Sequence, residues 1–103
     1  MAVGQLHTVA RADDVPPGTA VAVRAGKREL ALYNVGGTFY ATQHECLHLK
    51  GPLADGVLDG PVITCPWHGW QYDVRTGENE FDRALALETF AVVVEDGEIK
   101  VAV

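Results

Sequence analysis

Apolar residues recur along this chain in short runs with a period of two, not the period of 3.6 that an amphipathic helix requires. The runs are QLHTVA (5–10), TAVAVRAG (19–26), RELALYNV (28–35), TFYATQ (38–43), VITC (62–65), TFAVVVE (89–95) and EIKVAV (98–103). Each is rich in β-branched or aromatic residues and is bounded by Gly, Pro, Asn or Asp, which predicts strands. Gly36-Gly37 and Asp96-Gly97 lie between pairs of runs. Both dipeptides tolerate the positive φ of a tight hairpin turn, so antiparallel hairpins are predicted there. Pro16 and Pro17 predict a turn or a short helical turn over 13–18, because neither donates a backbone hydrogen bond. The nearest helical candidate is FDRALALETF (81–90), where Ala and Leu have good propensity but the stretch is short and runs into a strand. The expected fold class is all-β.

Between Gln43 and Gly77 the alternation breaks down, and His, Cys, Gly, Pro and Trp accumulate. Such a stretch predicts loops held by something other than an ordinary apolar core. Both cysteines of the chain fall here, in Cys46-Leu47-His48 and, after sixteen intervening residues, Cys65-Pro66-Trp67-His68. Each pair is short enough for one loop tip to present a thiol and an imidazole on the same side. A disulfide is the poorer use of the two thiols, since a secreted scaffold of this size carries more cysteines and intracellular thiols stay reduced. That leaves them free for metal, although a zinc knuckle, a disulfide and a pair of buried thiols all remain alternatives. Structural zinc sites usually pair Cys with Cys on one knuckle and His with His on a helix. One of each per loop suits a binuclear centre, one metal taking both thiolates and the other both imidazoles.

Length and charge narrow the setting. With 103 residues the chain is expected to be one domain, 1–103, with no room for a second catalytic one. Its hydrophobic share of 48% and charged share of 21% are those of a globular protein that folds alone. A net charge of -6 argues against a nucleic-acid partner, which demands clustered Lys and Arg. It suits a basic protein partner, or simply a soluble surface. No stretch reaches the ~20 apolar residues of a membrane span, and the opening residues lack a basic segment followed by an apolar one. The expected location is the cytoplasm, away from membranes.

The ligand spacing and its surroundings, CLHLKGPLADGVLDGPVITCPWHGWQYDVRTGE (46–78), resemble the Rieske [2Fe-2S] family, and the flanking hairpins resemble that family's antiparallel basal domain. The resemblance covers nearly the whole chain. It implies an antiparallel β-sandwich or barrel with a small inserted cluster-binding subdomain at about 43–78. It also implies one Rieske [2Fe-2S] cluster, with Cys46 and Cys65 on the buried iron and His48 and His68 on the outer one. Gly51, Pro52 and Gly69 would supply tight bends near the bridging sulfides. High-potential members carry an extra cysteine in each loop and a Ser shortly after the last His; here Leu49, Trp67 and Trp70 stand at those places. Tyr72 keeps the position of a Tyr that bonds a ligand sulfur. Fewer donors imply a potential toward the low end of the Rieske range, roughly -150 mV, and imidazole ligands imply one that falls at high pH. Trp67 and Trp70 either shield the cluster, meet a partner or simply pack. His44, two residues before Cys46, is a weaker rival ligand, His7 a surface or packing residue, and Lys50 either a docking residue or merely solvated. Related ferredoxins often carry a proline in the loop after the second motif, and residues 77–87 have none.

Rieske oxygenases add a mononuclear iron held by His and a carboxylate. With His48 and His68 used, only His7 and His44 remain, in no suitable pattern, so no catalytic residue is expected. The leading expectation is a ferredoxin, not itself an enzyme, that carries one electron from a flavin-dependent reductase to a terminal oxygenase. The alternatives are a small subunit of a nitrite-reductase-like complex and a non-catalytic iron-sulfur sensor or structural module.

Overall fold

The computed structural model describes residues 5–47, 50–67 and 69–103. Ten strands lie in the described residues: β1 (Leu6–Arg11), β2 (Ala20–Ala25), β3 (Arg28–Val35), β4 (Thr38–Gln43), β5 (Val57–Asp59), β6 (Val62–Thr64), β7 (Gln71–Asp73), β8 (Thr89–Phe90), β9 (Val92–Glu95) and β10 (Glu98–Ala102). They pair antiparallel into three sheets, β1-β10-β9, β2-β3-β4-β8 and β5-β6-β7. Single 3-10 turns sit at Ala12–Asp14 and Leu53–Asp55. The first overlaps only the start of the turn or short helical turn expected over 13–18, which continues as a bend and a turn through the two prolines.

Both predicted hairpins form. Gly36 and Gly37 have φ of 60° and 99°, and Asp96 and Gly97 have 53° and 77°. In each case both central residues are left-handed, which matches the twist of the flanking strands. At the first turn the buried Asn34 adds a lock, its amide donating to the Val15 carbonyl at 2.6 Å and its oxygen accepting from Gly37 N–H at 2.7 Å.

β3 holds the fold together. Leu30 and Leu32 face a cluster with Val15, Ala41, Ile99 and Val101, while Ala31 and Tyr33 face a second with Leu53, Ile63, Tyr72 and Val74. The strand is thus buried on both sides, as a central strand between two layers must be. The Tyr33 hydroxyl is satisfied inside: Thr42 Oγ1 donates to the Gln43 carbonyl, so at 2.9 Å Tyr33 is the donor to Thr42. Burial pushes the Tyr33 phenol well above its ordinary range and keeps it neutral. Both cysteines belong to the second cluster. The same face of β3 that packs Tyr33 therefore backs the candidate site.

The helical expectation for 81–90 is overturned, for no α-helix forms among the described residues. Residues 77–88 instead fold back as a narrow loop. Asn79 N–H donates to the Leu85 carbonyl and Leu87 N–H to Gly77, both at 2.8 Å, while Glu88 N–H bonds the Gln43 side chain. Isolated antiparallel bridges link Tyr72 to Asn79 and Glu78 to Ala86. Pairing with β7 and β4 outweighs a helix propensity too short to nucleate alone.

Candidate metal centre

The two cysteines start two loops of the same construction. Cys46 N–H donates to the Gly51 carbonyl at 2.8 Å, and Cys65 N–H to the Trp70 carbonyl at 2.7 Å, so each loop is six residues closed by one bond. An antiparallel pair seals each base, Glu45 with Pro52 and Thr64 with Gln71. Even the strained position is shared: the fifth residue of each loop is left-handed, Lys50 at φ 56° and Gly69 at φ 72°. Glycine meets that demand freely, whereas lysine pays about 1 kcal/mol for it. The half-buried β5-β6-β7 sheet carries the second loop, and β4 with the Leu53–Asp55 turn carries the first.

The structure brings the two thiols together. Cys46 and Cys65 are each 1% exposed, neither is in a disulfide, and the Cys46 side chain lies within hydrogen-bonding reach of Cys65. Burial pushes the Cys65 thiol up, the Trp67 backbone N–H pulls it down, and the neighbouring Cys46 pushes it up again. The Cys65 thiol, buried and crowded by Cys46, is disfavoured as an anion. A metal that accepts both sulfurs reverses that electrostatic balance.

Each sulfur also has a donor. The Tyr72 hydroxyl sits 3.1 Å from Cys46 Sγ, as expected from its position, and accepts from Leu47 N–H at 3.3 Å. Trp67 N–H serves Cys65. Burial, and then the Cys46 side chain, push the Tyr72 phenol well above its ordinary range. It stays a neutral donor beside sulfur.

Gly51 does something other than bend the chain. It is absent from the positive-φ glycines, but a Cβ built on it would stand 2.6 Å from Cys65 Sγ and 3.2 Å from the Trp67 Cβ and Cγ. The absent side chain makes room for the sulfur of the opposite loop. Gly69, by contrast, has open space and is needed for its backbone angle.

The two tryptophans part company. Trp70 packs against the second core cluster and meets Phe81 edge-on, with ring centroids 4.9 Å apart and planes at 84°. Trp67 is 49% exposed, in company with Leu47 at 41% and Phe81 at 66%. Leu47 and Trp67 lie one on each loop, and Phe81 lies beside Trp70 of the second. His7 packs its imidazole over Gly26, far from the site in sequence and on β1. His44 remains beside the first loop, its Nδ1 buried and without a hydrogen-bond partner. His48, Leu49 and His68 lie outside the described residues.

Gly51 was singled out in the sequence, but for a bend and not for the room it leaves the Cys65 sulfur, and Asn79, fully buried beside Tyr72, carried no signal at all. A glycine and an asparagine in loops normally read as turn chemistry.

Paired loops on antiparallel sheets, offering two adjacent buried thiols, make a site that suits a metal or iron-sulfur centre. The chain matches the Rieske [2Fe-2S] domain over residues 5–91 and belongs to that family. It is 44% identical over 96 residues to ferredoxin CarAc of Metapseudomonas resinovorans, covering 91% of this chain and 90% of the relative. In structure it is similar to the ferredoxin of carbazole 1,9a-dioxygenase from Nocardioides aromaticivorans IC177, with a TM-score of 0.89 and 32% identity, covering 95% of this chain and 97% of that one. It is also similar to a chain in the complex of reduced oxygenase and oxidized ferredoxin of carbazole 1,9a-dioxygenase, with a TM-score of 0.86, 42% identity and coverage of 94% and 92%. The family's cofactor is a Rieske-type [2Fe-2S] cluster, and the two sulfurs here fit it. No helix among the described residues is long and apolar enough to cross a membrane.

Proposed function

We propose that the whole chain, 1–103, works as one Rieske ferredoxin, carrying single electrons from a flavin-dependent reductase to the terminal oxygenase of a ring-hydroxylating dioxygenase system in the cytoplasm. Cys46 and Cys65 hold the buried iron and His48 and His68 the outer iron, within a cluster-binding part at about 43–78. The cluster supplies one-electron chemistry. The chain's own residues keep the sulfurs dry, direct the Tyr72 hydroxyl and Trp67 N–H at them, and hold the two loops in register through Gly51.

The observation that carries this reading is the pair of matching loops with both thiols buried, in a chain nearly coextensive with a relative named as a ferredoxin. The exposed side chains of Leu47, Trp67 and Phe81 suit a protein redox partner, because apolar and aromatic side chains are favoured at the buried centre of an interface. Transfer of electrons, not substrate chemistry, is the part the name ferredoxin assigns to the relatives this chain resembles.

The test is electron paramagnetic resonance on dithionite-reduced protein, with iron, zinc and acid-labile sulfide assayed on the same sample. A rhombic signal with an average g-value below that of an all-cysteine cluster, together with two irons and two sulfides, is expected. A silent sample holding one zinc overturns the reading. Reduction by a flavin reductase and reoxidation by a Rieske oxygenase then check the carrier role.

A further inference from the structure

Asn79 is fully buried and its two ends have unequal fates. Its Oδ1 accepts the Phe81 and Asp82 N–H groups, each at 3.0 Å, an Asx-type cap that shapes the loop. These two donors dictate which end of the amide is oxygen, a choice the side chain alone leaves open. The Nδ2 end is therefore left pointing inward, buried and with no acceptor in hydrogen-bonding geometry. A buried amide N–H without a partner is costly, so its place calls for a reason.

Its neighbour is the Tyr72 hydroxyl, against which the Asn79 side chain lies, and a backbone bridge pairs Tyr72 with Asn79. That hydroxyl has one proton to give and two lone pairs to fill. Leu47 N–H occupies one lone pair. A second N–H, from Asn79, approaches the oxygen as well. With Leu47 N–H on one acceptor position and the Asn79 amide alongside the other, the phenolic proton is left to face Cys46 Sγ at 3.1 Å.

We infer that Asn79 is a positioning residue for the redox centre: its buried amide orients the Tyr72 hydroxyl so that the proton points at Cys46 Sγ. This rests on the proposed assignment of the cluster to Cys46. A donor aimed at a ligand sulfur favours the reduced, more negative centre and raises its potential. Tyr72 touches the sulfur; Asn79 acts only through Tyr72.

Two variants separate this role from the cap. Asn79→Ser keeps an oxygen for the loop N–H groups, loses Nδ2 and adds no charge. Asn79→Asp keeps the cap and replaces Nδ2 with an acceptor that competes with sulfur for the Tyr72 proton. Midpoint potentials by protein-film voltammetry are measured for each, alone and combined with Tyr72→Phe. Expected are a lowered potential for Asn79→Ser and a further lowering for Asn79→Asp. In the Tyr72→Phe background the Asn79→Ser shift disappears and only the charge effect of Asn79→Asp persists. An Asn79→Ser potential equal to wild type, or the same shift with and without Tyr72, overturns the inference. Should both variants fail to hold a cluster, a neutron structure of the wild-type holoprotein decides: Nδ2 deuterons aimed at Tyr72 Oη support it, and deuterons aimed elsewhere overturn it. A wild-type protein lacking the Rieske resonance signal would overturn the proposed function itself, whereas an intact signal with an indifferent Asn79→Ser overturns only the role of Asn79.

Discussion

Replacing Gly51 with alanine is the sharpest test of how the two loops fit together. The new Cβ would stand 2.6 Å from Cys65 Sγ and 3.2 Å from two carbons of Trp67. Ordinary contact between such atoms is about 3.5–4.0 Å, so the sulfur or the first loop must retreat by about 1 Å. Neither has an easy way out. Cys65 is anchored through its N–H to Trp70, and Gly51 accepts the Cys46 N–H that closes its own loop. Overpacking of this kind costs about 1–3 kcal/mol, which for a chain of this size lowers the melting temperature by about 4–20 °C. The same displacement pulls one sulfur out of place, so the cluster should be lost in proportion. The assay is iron and acid-labile sulfide per chain, with thermal unfolding on the same preparation. Gly60→Ala is the control: Gly60 has φ 56° and open space around the position its Cβ would take, with nothing within 4 Å, so its alanine carries backbone strain alone. It should lose about 1 kcal/mol and keep its cluster. If Gly51→Ala keeps wild-type cluster content and melts no lower than Gly60→Ala, the close packing of Gly51 on Cys65 is refuted.

Tyr72→Phe should lower the midpoint potential and cost about 1 kcal/mol, since it removes the donor to Cys46 Sγ and strands Leu47 N–H; voltammetry and denaturant unfolding read the two effects separately. Lys50→Gly should stabilise the chain by about 0.5–1 kcal/mol by relieving a left-handed lysine, and an unchanged or lower urea midpoint would contradict the strain. The hydrogen bonds from Arg75 hold the Asp73 carboxyl below its ordinary range. A depressed carboxyl contributes stability that is full above its unfolded value of about 3.9 and is lost as pH falls through the folded value. Asp73→Asn should therefore flatten the acid limb of the stability profile below about pH 5 and leave its alkaline side unchanged, as thermal melts against pH would report. With His48 and His68 as ligands, the midpoint potential should fall through the alkaline range, and a flat profile there would count against imidazole ligation.

Most of the strand layout was legible from alternation alone, because a half-buried strand repeats every two residues and glycine-bearing turns interrupt it. RELALYNV, TFYATQ and EIKVAV became β3, β4 and β10 within a residue or two. The short strands β5 and β7 escaped, being three residues each and too brief to show a period. TFAVVVE divided into β8 and β9 at Ala91, since its two ends pair with different sheets, β4 and β10. FDRALALETF read as helix-prone because propensity is local, whereas the bonds that claimed it, to Gly77, Asn79 and Gln43, come from elsewhere in the chain.

The chemistry divides along the same line. The ligand types and their spacing are properties of neighbouring residues, so Cys46, His48, Cys65 and His68 could be singled out with no coordinates at all. Proximity between distant residues is not written in spacing. Only the folded chain sets Cys46 against Cys65, slots the bare Cα of Gly51 under the Cys65 sulfur, and carries Asn79 to the Tyr72 hydroxyl. Local sequence offered the candidate ligands, because metal binding needs particular atoms. Tertiary packing chose their surroundings, because burial and hydrogen bonding depend on which segments meet.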